Sequence, residues 1–153
     1  MKPRYLLLFW EFPQLVLAAI FYISLRPKIN YRLDYRDAVV YFVRGFPGGI
    51  SLSWIIFINE NDAGNINKVR HEYGHTLQSL YLGWIYLFAV GVPSIIRASI
   101  WKKYKFESSK YYEGYPENWA DRLGGASMLM IAILIAALLS MLIPGMSKCH
   151  FFL

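Results

Sequence analysis

Two of the chain's three histidines stand four residues apart, in His71-Glu72-Tyr73-Gly74-His75. No other feature constrains the fold as strongly. On an α-helix, residues four apart differ by about 40° around the axis and about 6 Å along it, so both imidazoles project from one face. One zinc ion can bridge side chains so placed, and Glu72, beside the first of them, can reach a metal-bound water as general base. Val69, Tyr73, Leu77, Leu80 and Tyr81 recur at helical spacing on an apolar face. The pattern predicts a helix over 66–82, with Asn65 or Asn67 as its N-cap.

A zinc hydrolase needs a third protein ligand and keeps its fourth position for water. The best candidate lies downstream, in Tyr115-Pro116-Glu117-Asn118-Trp119-Ala120-Asp121-Arg122. Pro116 suits the first turn of a helix, which sets Glu117 and Asp121 four apart on one face. Glu117 can coordinate the metal, and Asp121 can accept a hydrogen bond from the far nitrogen of a ligand histidine. The alternative is a capping carboxylate at Glu117 with a surface pair between Asn118 and Arg122. Glu107, Glu113, Glu60 and Asp62 are weaker candidates, since they lie in polar or charged loops.

HEYGH followed by ENWAD resembles the paired motifs of the gluzincin metallopeptidases. The nearest in character are the membrane-integral members that include the bacterial heat-shock membrane protease and the CAAX prenyl endopeptidase. The resemblance implies His71, His75 and Glu117 as zinc ligands, Glu72 as the catalytic base and Asp121 as the residue that orients a ligand. Residues 48–125 also look like a group of small bacterial membrane proteins. The chain departs from the established peptidases in its shortness and in the 42-residue step from His75 to Glu117. No histidine or arginine is evidently placed to stabilise an oxyanion, and Tyr115 is the candidate taken for that role.

Composition bears on where such a site would sit. At 153 residues the chain is one domain, with 56% hydrophobic and only 17% charged residues. Ordinary soluble domains hold roughly 45–50% apolar and about 25% charged residues. This excludes disorder, and lone Cys149 excludes an internal disulfide scaffold. The basic residues, which give a net charge of +6, are dispersed and accompany no reading motif, so nucleic acid is not an expected partner. Residues 5–25 and 123–143 are apolar runs of spanning length, and both are expected as transmembrane helices. Residues 80–96 form a shorter run interrupted by Gly83, Gly91 and Pro93. Residues 38–58, β-branched and aromatic around RGFPGG, predict a β-hairpin.

The expected fold is therefore a mainly α membrane protein with a small β-hairpin, two transmembrane helices flanking a minimal gluzincin-like zinc core. A single crossing by residues 80–96 would part His75 from Glu117 by about 30 Å, so that segment is expected to be re-entrant or interfacial. The second motif helix is expected to start at 116 and run on to 143. Thirteen of the 16 Lys and Arg residues lie between Arg26 and Arg122. The positive-inside rule then places the site on the cytoplasmic side of a bacterial inner membrane. The expected partners are the lipid bilayer and a peptide or membrane-protein substrate, with oligomeric state left open. The expected activity is a zinc-dependent metalloendopeptidase working at that surface. The alternative is a non-catalytic membrane scaffold or binding protein with a structural zinc site.

Overall fold

A computed structural model describes residues 8–104 and 113–125. Its centre is a sheet of four strands: β1 (Ile29–Tyr35), β2 (Ala38–Val43), β3 (Gly49–Leu52) and β4 (Ile55–Asn59). The strand order is β1-β2-β4-β3. β1–β2 and β3–β4 pair antiparallel, whereas β2 and β4 run parallel, with Val40 opposite Ile56 and Phe42 opposite Ile58. Around the sheet lie α1 (Phe12–Leu25), α2 (Ile66–Leu82), α3 (Val92–Tyr104) and α4 (Glu117–Gly125).

Period-two alternation sorts the side chains of the central strands onto two covered faces. Ala38, Val40, Phe42, Ile56 and Ile58 point to one face and pack against Val69, Tyr73 and Leu77 of α2. On the other face Tyr41 stacks on Phe57 at 5.7 Å between ring centroids. Phe21 and Tyr22 of α1 cover that pair, at 6.1 Å from Phe57 and 5.2 Å from Tyr41. Both central strands are thus buried on two sides, which is why AVVYFV and IIFIN are nearly unbroken apolar runs.

The site depends on α2 and what lies against it. Asn65 caps its start, its Oδ1 accepting from the Lys68 amide at 3.2 Å. Gly83 ends it at φ +53, where a Cβ would also stand 2.3 Å from the Trp10 ring. Between these ends α4 packs on α2 with backbone almost touching backbone. A Cβ on Gly74 would lie 1.9 Å from the Ala120 carbonyl oxygen, and one on Gly124 would lie 1.9 Å from that of Arg70. Only glycine allows the approach at these two positions.

Several expectations are overturned. The chain is not a mainly α fold with one small hairpin, because a mixed four-stranded sheet forms its core. Residues 38–58 are not a single hairpin. ISLSWIIFI bends at Ser53, which adopts φ +58, and folds into β3 and β4 as a hairpin of their own, leaving β4 parallel to β2. β1 was not expected at all.

The transmembrane architecture also falls: among the described residues no helix is long and apolar enough to cross a membrane. The run 5–25 is interrupted at Glu11, and α1 has only 14 residues, about 21 Å against the roughly 30 Å of a bilayer core. Glu11 and Gln14 turn inward. Glu11 accepts from the hydroxyls of Ser53 at 2.8 Å and Ser79 at 2.7 Å, and the Gln14 amide donates to the Gly83 carbonyl. Burial raises the Glu11 pKa despite the two hydroxyl donors. Residues 80–96 end α2, pass through a 3₁₀ turn (Gly83–Ile85) and a π-helical turn (Leu87–Gly91), and start α3. The expected span at 123–143 has its first three residues in α4, and the rest lies outside the described residues. The placement in an inner membrane, with the site facing the cytoplasm, rested on two flanking spans and goes with them.

The glycine contacts make a direct prediction. Gly74→Ala forces α2 and α4 apart and should destabilise the protein by about 1–3 kcal/mol, the usual range for overpacking. Gly125→Ala, whose Cβ would meet nothing within 4 Å, should be nearly neutral by comparison. Urea denaturation of the two variants checks this, and equal midpoints would contradict it.

Candidate metal centre

The α2–α4 contact gathers three ligand-type side chains in the interior. His71 and His75 lie one turn apart on α2, their rings 4.9 Å apart and nearly perpendicular at 89°. Glu117, from the first turn of α4, is fully buried beside them. Its Oε2 is 3.0 Å from His71 Nε2 and 3.2 Å from His75 Nε2. One ligand atom from each of the three residues lies within 4.8 Å of the others, so His71, His75 and Glu117 are close enough to hold a metal ion.

Each of the three is held from behind by a partner of its own. Asp121, one turn after Glu117, has its Oδ1 2.6 Å from His71 Nδ1. The Gln78 Oε1 lies 2.7 Å from His75 Nδ1, and the Gln78 amide donates to the Pro116 carbonyl at 3.1 Å. Ser94 of α3 donates to Glu117 Oε1 at 2.7 Å. Partners on the outer atoms leave both Nε2 atoms and one carboxylate oxygen aimed at a common point. That is how ligand sets in metalloproteins are usually oriented.

The distances suit a small dication. Tetrahedral bonds of about 2.0–2.1 Å put neighbouring ligand atoms about 3.3 Å apart, close to the two Nε2–Oε2 separations here. Buried nitrogens and an oxygen without thiolate also form a borderline-hard donor set. A cleft of about 270 Å³, lined by Asn65, Asn67, Lys68, His71 and Asp121, lies beside the His71–Asp121 pair.

Glu72, between the two histidines, is not one of the three grouped ligand residues, though its charge is felt by both imidazoles. Its carboxylate lies against β3, where Ser51 Oγ is 2.9 Å from Oε2 and Lys68 Nζ is 3.3 Å from Oε1. It fits there because residue 49 is glycine, whose Cβ would stand 2.0 Å from Glu72 Oε1. Asn59 donates its amide to the Gly48 carbonyl, so by antiparallel alternation the main-chain groups of Gly49 and Ser51 point away from β4. β3 is the outermost strand on that side of the sheet.

Electrostatics keeps these acids ionised. Burial works to raise the Glu72 pKa, but Lys68, the two histidines and Ser51 outweigh it and the value falls. Burial likewise opposes ionisation of Glu117, and hydrogen bonds from His71, His75 and Ser94 hold it far below the usual carboxylate range. For His71, burial favours the neutral ring, yet Glu117, Glu72 and Asp121 together raise the pKa.

The structure therefore brings together His71, His75, Glu117 and Asp121, with Glu72 on the same helix. Tyr115 stands apart: its ring is half exposed beside Trp119, and its hydroxyl donates to the Ala89 carbonyl at 2.6 Å. Another phenol lies nearer. Tyr86 is buried and donates to the Ser51 carbonyl at 3.3 Å; burial, then Glu72 and Glu117, raise its pKa far above the ordinary tyrosine value. Gln78, Ser94, Ser51 and Lys68 carry no motif. Only the spacing of Gln78, one turn after His75 on the same face, could have drawn attention to it.

Comparison of the chain with family models, with curated proteins and with solved structures returns no match. The metal centre thus stands on its geometry.

The shifted groups set a pH dependence. In metal-free protein the raised His71 pKa contributes stability that is full below about 6.5, its unfolded value, and is lost as pH rises through the folded value. The depressed Glu117 pKa contributes stability that is full above about 4.3 and is lost as pH falls. Metal ligation needs unprotonated imidazoles, so protection by a divalent ion should grow as pH rises past about 6.5. Melting curves with chelator and with added metal, from acid to pH 8, check both signs. A midpoint indifferent to chelator at pH 8 would count against the centre.

Proposed function

We propose that the chain is a zinc-dependent hydrolase of peptide bonds, in which His71, His75 and Glu117 hold the ion and Glu72 is the base. The observation that carries this reading is the convergence of three buried ligand atoms beside a fourth acidic side chain that is ionised and held by Ser51 and Lys68. Glu72 also ties α2 to β3 through Ser51, but a structural site alone would not need an ionised carboxylate beside its ligands. Zinc, when bound, supplies a Lewis acid that lowers the pKa of water and polarises a carbonyl.

The remaining work falls to the chain itself. Glu72 takes a proton from the attacking water on its carboxylate and passes it to the leaving amine. Ser51 and Lys68 keep that carboxylate in place and charged. Asp121 and Gln78 hold the imidazoles so that their Nε2 atoms face inward. Beside Glu72 the edge strand β3 turns the main-chain groups of Gly49 outward, the Ser51 carbonyl being taken by Tyr86, and this supports an extended peptide as substrate, paired in the manner of an added strand.

A second reading is favoured by the burial of the ligand set between α2 and α4: a structural zinc clip that joins the two helices without turnover. One pair of experiments separates the readings. Glu72→Gln should retain zinc and slow cleavage of model peptides by about 10²–10⁴-fold. Unchanged cleavage removes Glu72 from the chemistry. Zinc retention with no peptide cleaved by wild type, and unfolding of His75→Ala, favours the clip. A wild-type protein that binds no zinc removes both.

A further inference from the structure

Gln78 belongs to neither motif, yet it is fully buried and touches both helices of the metal centre. Its amide can be oriented in only one way. The Pro116 main chain has no N–H, so on that side Gln78 meets a carbonyl oxygen that can only accept. The amide nitrogen must therefore face Pro116, which it does at 3.1 Å. The other end of the same group is then an oxygen, and it faces His75 Nδ1 at 2.7 Å. An oxygen at that distance requires a proton on Nδ1, since two acceptors would repel in a buried setting with no water to intervene. His75 Nε2 is presented toward Glu117, and once that nitrogen ligates a metal the neutral ring has only Nδ1 on which to carry its proton.

We propose that Gln78 is a positioning residue that keeps the proton of His75 on Nδ1, and that it takes this instruction from the Pro116 carbonyl on the other helix. Pro116 immediately precedes Glu117, and its carbonyl also opens α4 by accepting from the Ala120 amide at 3.1 Å. The docking that delivers the third ligand thus also prepares the second. His71 needs no such arrangement, because Asp121 is an acceptor in either orientation. The two histidines are prepared by different means: His71 by a charged, part-exposed carboxylate, His75 by a neutral amide that reads the position of α4. The proposal rests on the metal reading, because without an ion His75 Nε2 faces the Glu117 carboxylate at 3.2 Å and competes for the same proton.

The test uses the full chain labelled with ¹⁵N-histidine, whose three imidazoles can be assigned singly. In Zn²⁺-loaded wild type, long-range ¹H–¹⁵N spectra should show the metal on His75 Nε2 and a proton on Nδ1. Gln78→Leu removes the acceptor for that proton and should weaken Zn²⁺ binding, measured against a competing chelator, by about 10–100-fold. Gln78→Glu retains an acceptor toward Nδ1, so it should restore most of the Zn²⁺ affinity while melting below wild type, because its second oxygen faces the Pro116 carbonyl. A filler of space alone would show the opposite order, with leucine tolerated better than glutamate. The proposal is overturned if Zn²⁺-loaded wild type carries the His75 proton on Nε2, or if folded Gln78→Leu keeps the wild-type affinity. Should Gln78→Leu not fold, the wild-type spectrum and Gln78→Glu still decide. A wild type that binds no Zn²⁺ removes the metal reading, whereas one that binds it as tightly as folded Gln78→Leu removes only the positioning role.

Discussion

Everything at the centre depends on how closely α4 lies against α2. Gly74 and Gly124 let each helix backbone rest on a carbonyl of the other, and a methyl group at either position would fill the gap. At that separation the carboxylate of Glu117 reaches the two imidazoles of α2 directly. The sheet provides the footing. Tyr73 and Leu77, on the apolar stripe of α2, are anchored in the core formed by Val40, Phe42, Ile56 and Ile58. One helix therefore serves two masters, its apolar stripe held by the sheet and its polar stripe held by α4.

The polar interior this creates is costly to build. Glu11, Glu72, Glu117, Gln14 and Gln78 are all buried, and a buried charge or amide without a partner costs more than most single contacts return. Nearly all are answered by hydroxyls, a lysine, imidazoles or main-chain carbonyls from distant parts of the chain. Ser51 and Ser53 on the β3–β4 hairpin, Ser79 on α2 and Ser94 on α3 each close one such pairing. Those hydroxyls connect elements far apart in the chain, so they help to specify the arrangement as well as to stabilise it.

How far the sequence revealed this varied with the kind of signal. The helix over 66–82, its Asn65 cap and the pairing of Glu117 with Asp121 were legible, since each rests on spacing along one helix. The sheet was read in part. AVVYFV stands out as a strand, but the alternation of Ile29, Tyr31, Leu33 and Tyr35 in β1 is interleaved with Asn30, Arg32 and Asp34 and lies largely exposed. The turn at Ser53 was hidden because a serine at positive φ carries no mark that a glycine would. The apolar run 5–25 misled for a related reason. Hydropathy averages over a window, so it smoothed away Glu11 and Gln14, the residues that turn inward and settle how that helix lies. Ser94 was illegible because its partner comes from another helix, and Gln78 offered only its spacing from His75, its Pro116 partner lying on α4.

The carboxylates around the centre have a consequence for which ions it can keep. Glu72, Glu117 and Asp121 bring three negative charges, Lys68 returns one positive, and the imidazoles are neutral when they ligate. The balance of two is what a dication cancels. A monovalent ion would leave a net negative charge beside buried Glu72 and Glu117, and a trivalent ion a net positive one. Of the ions such a ligand set could hold, the surrounding charges would therefore favour one of valence two.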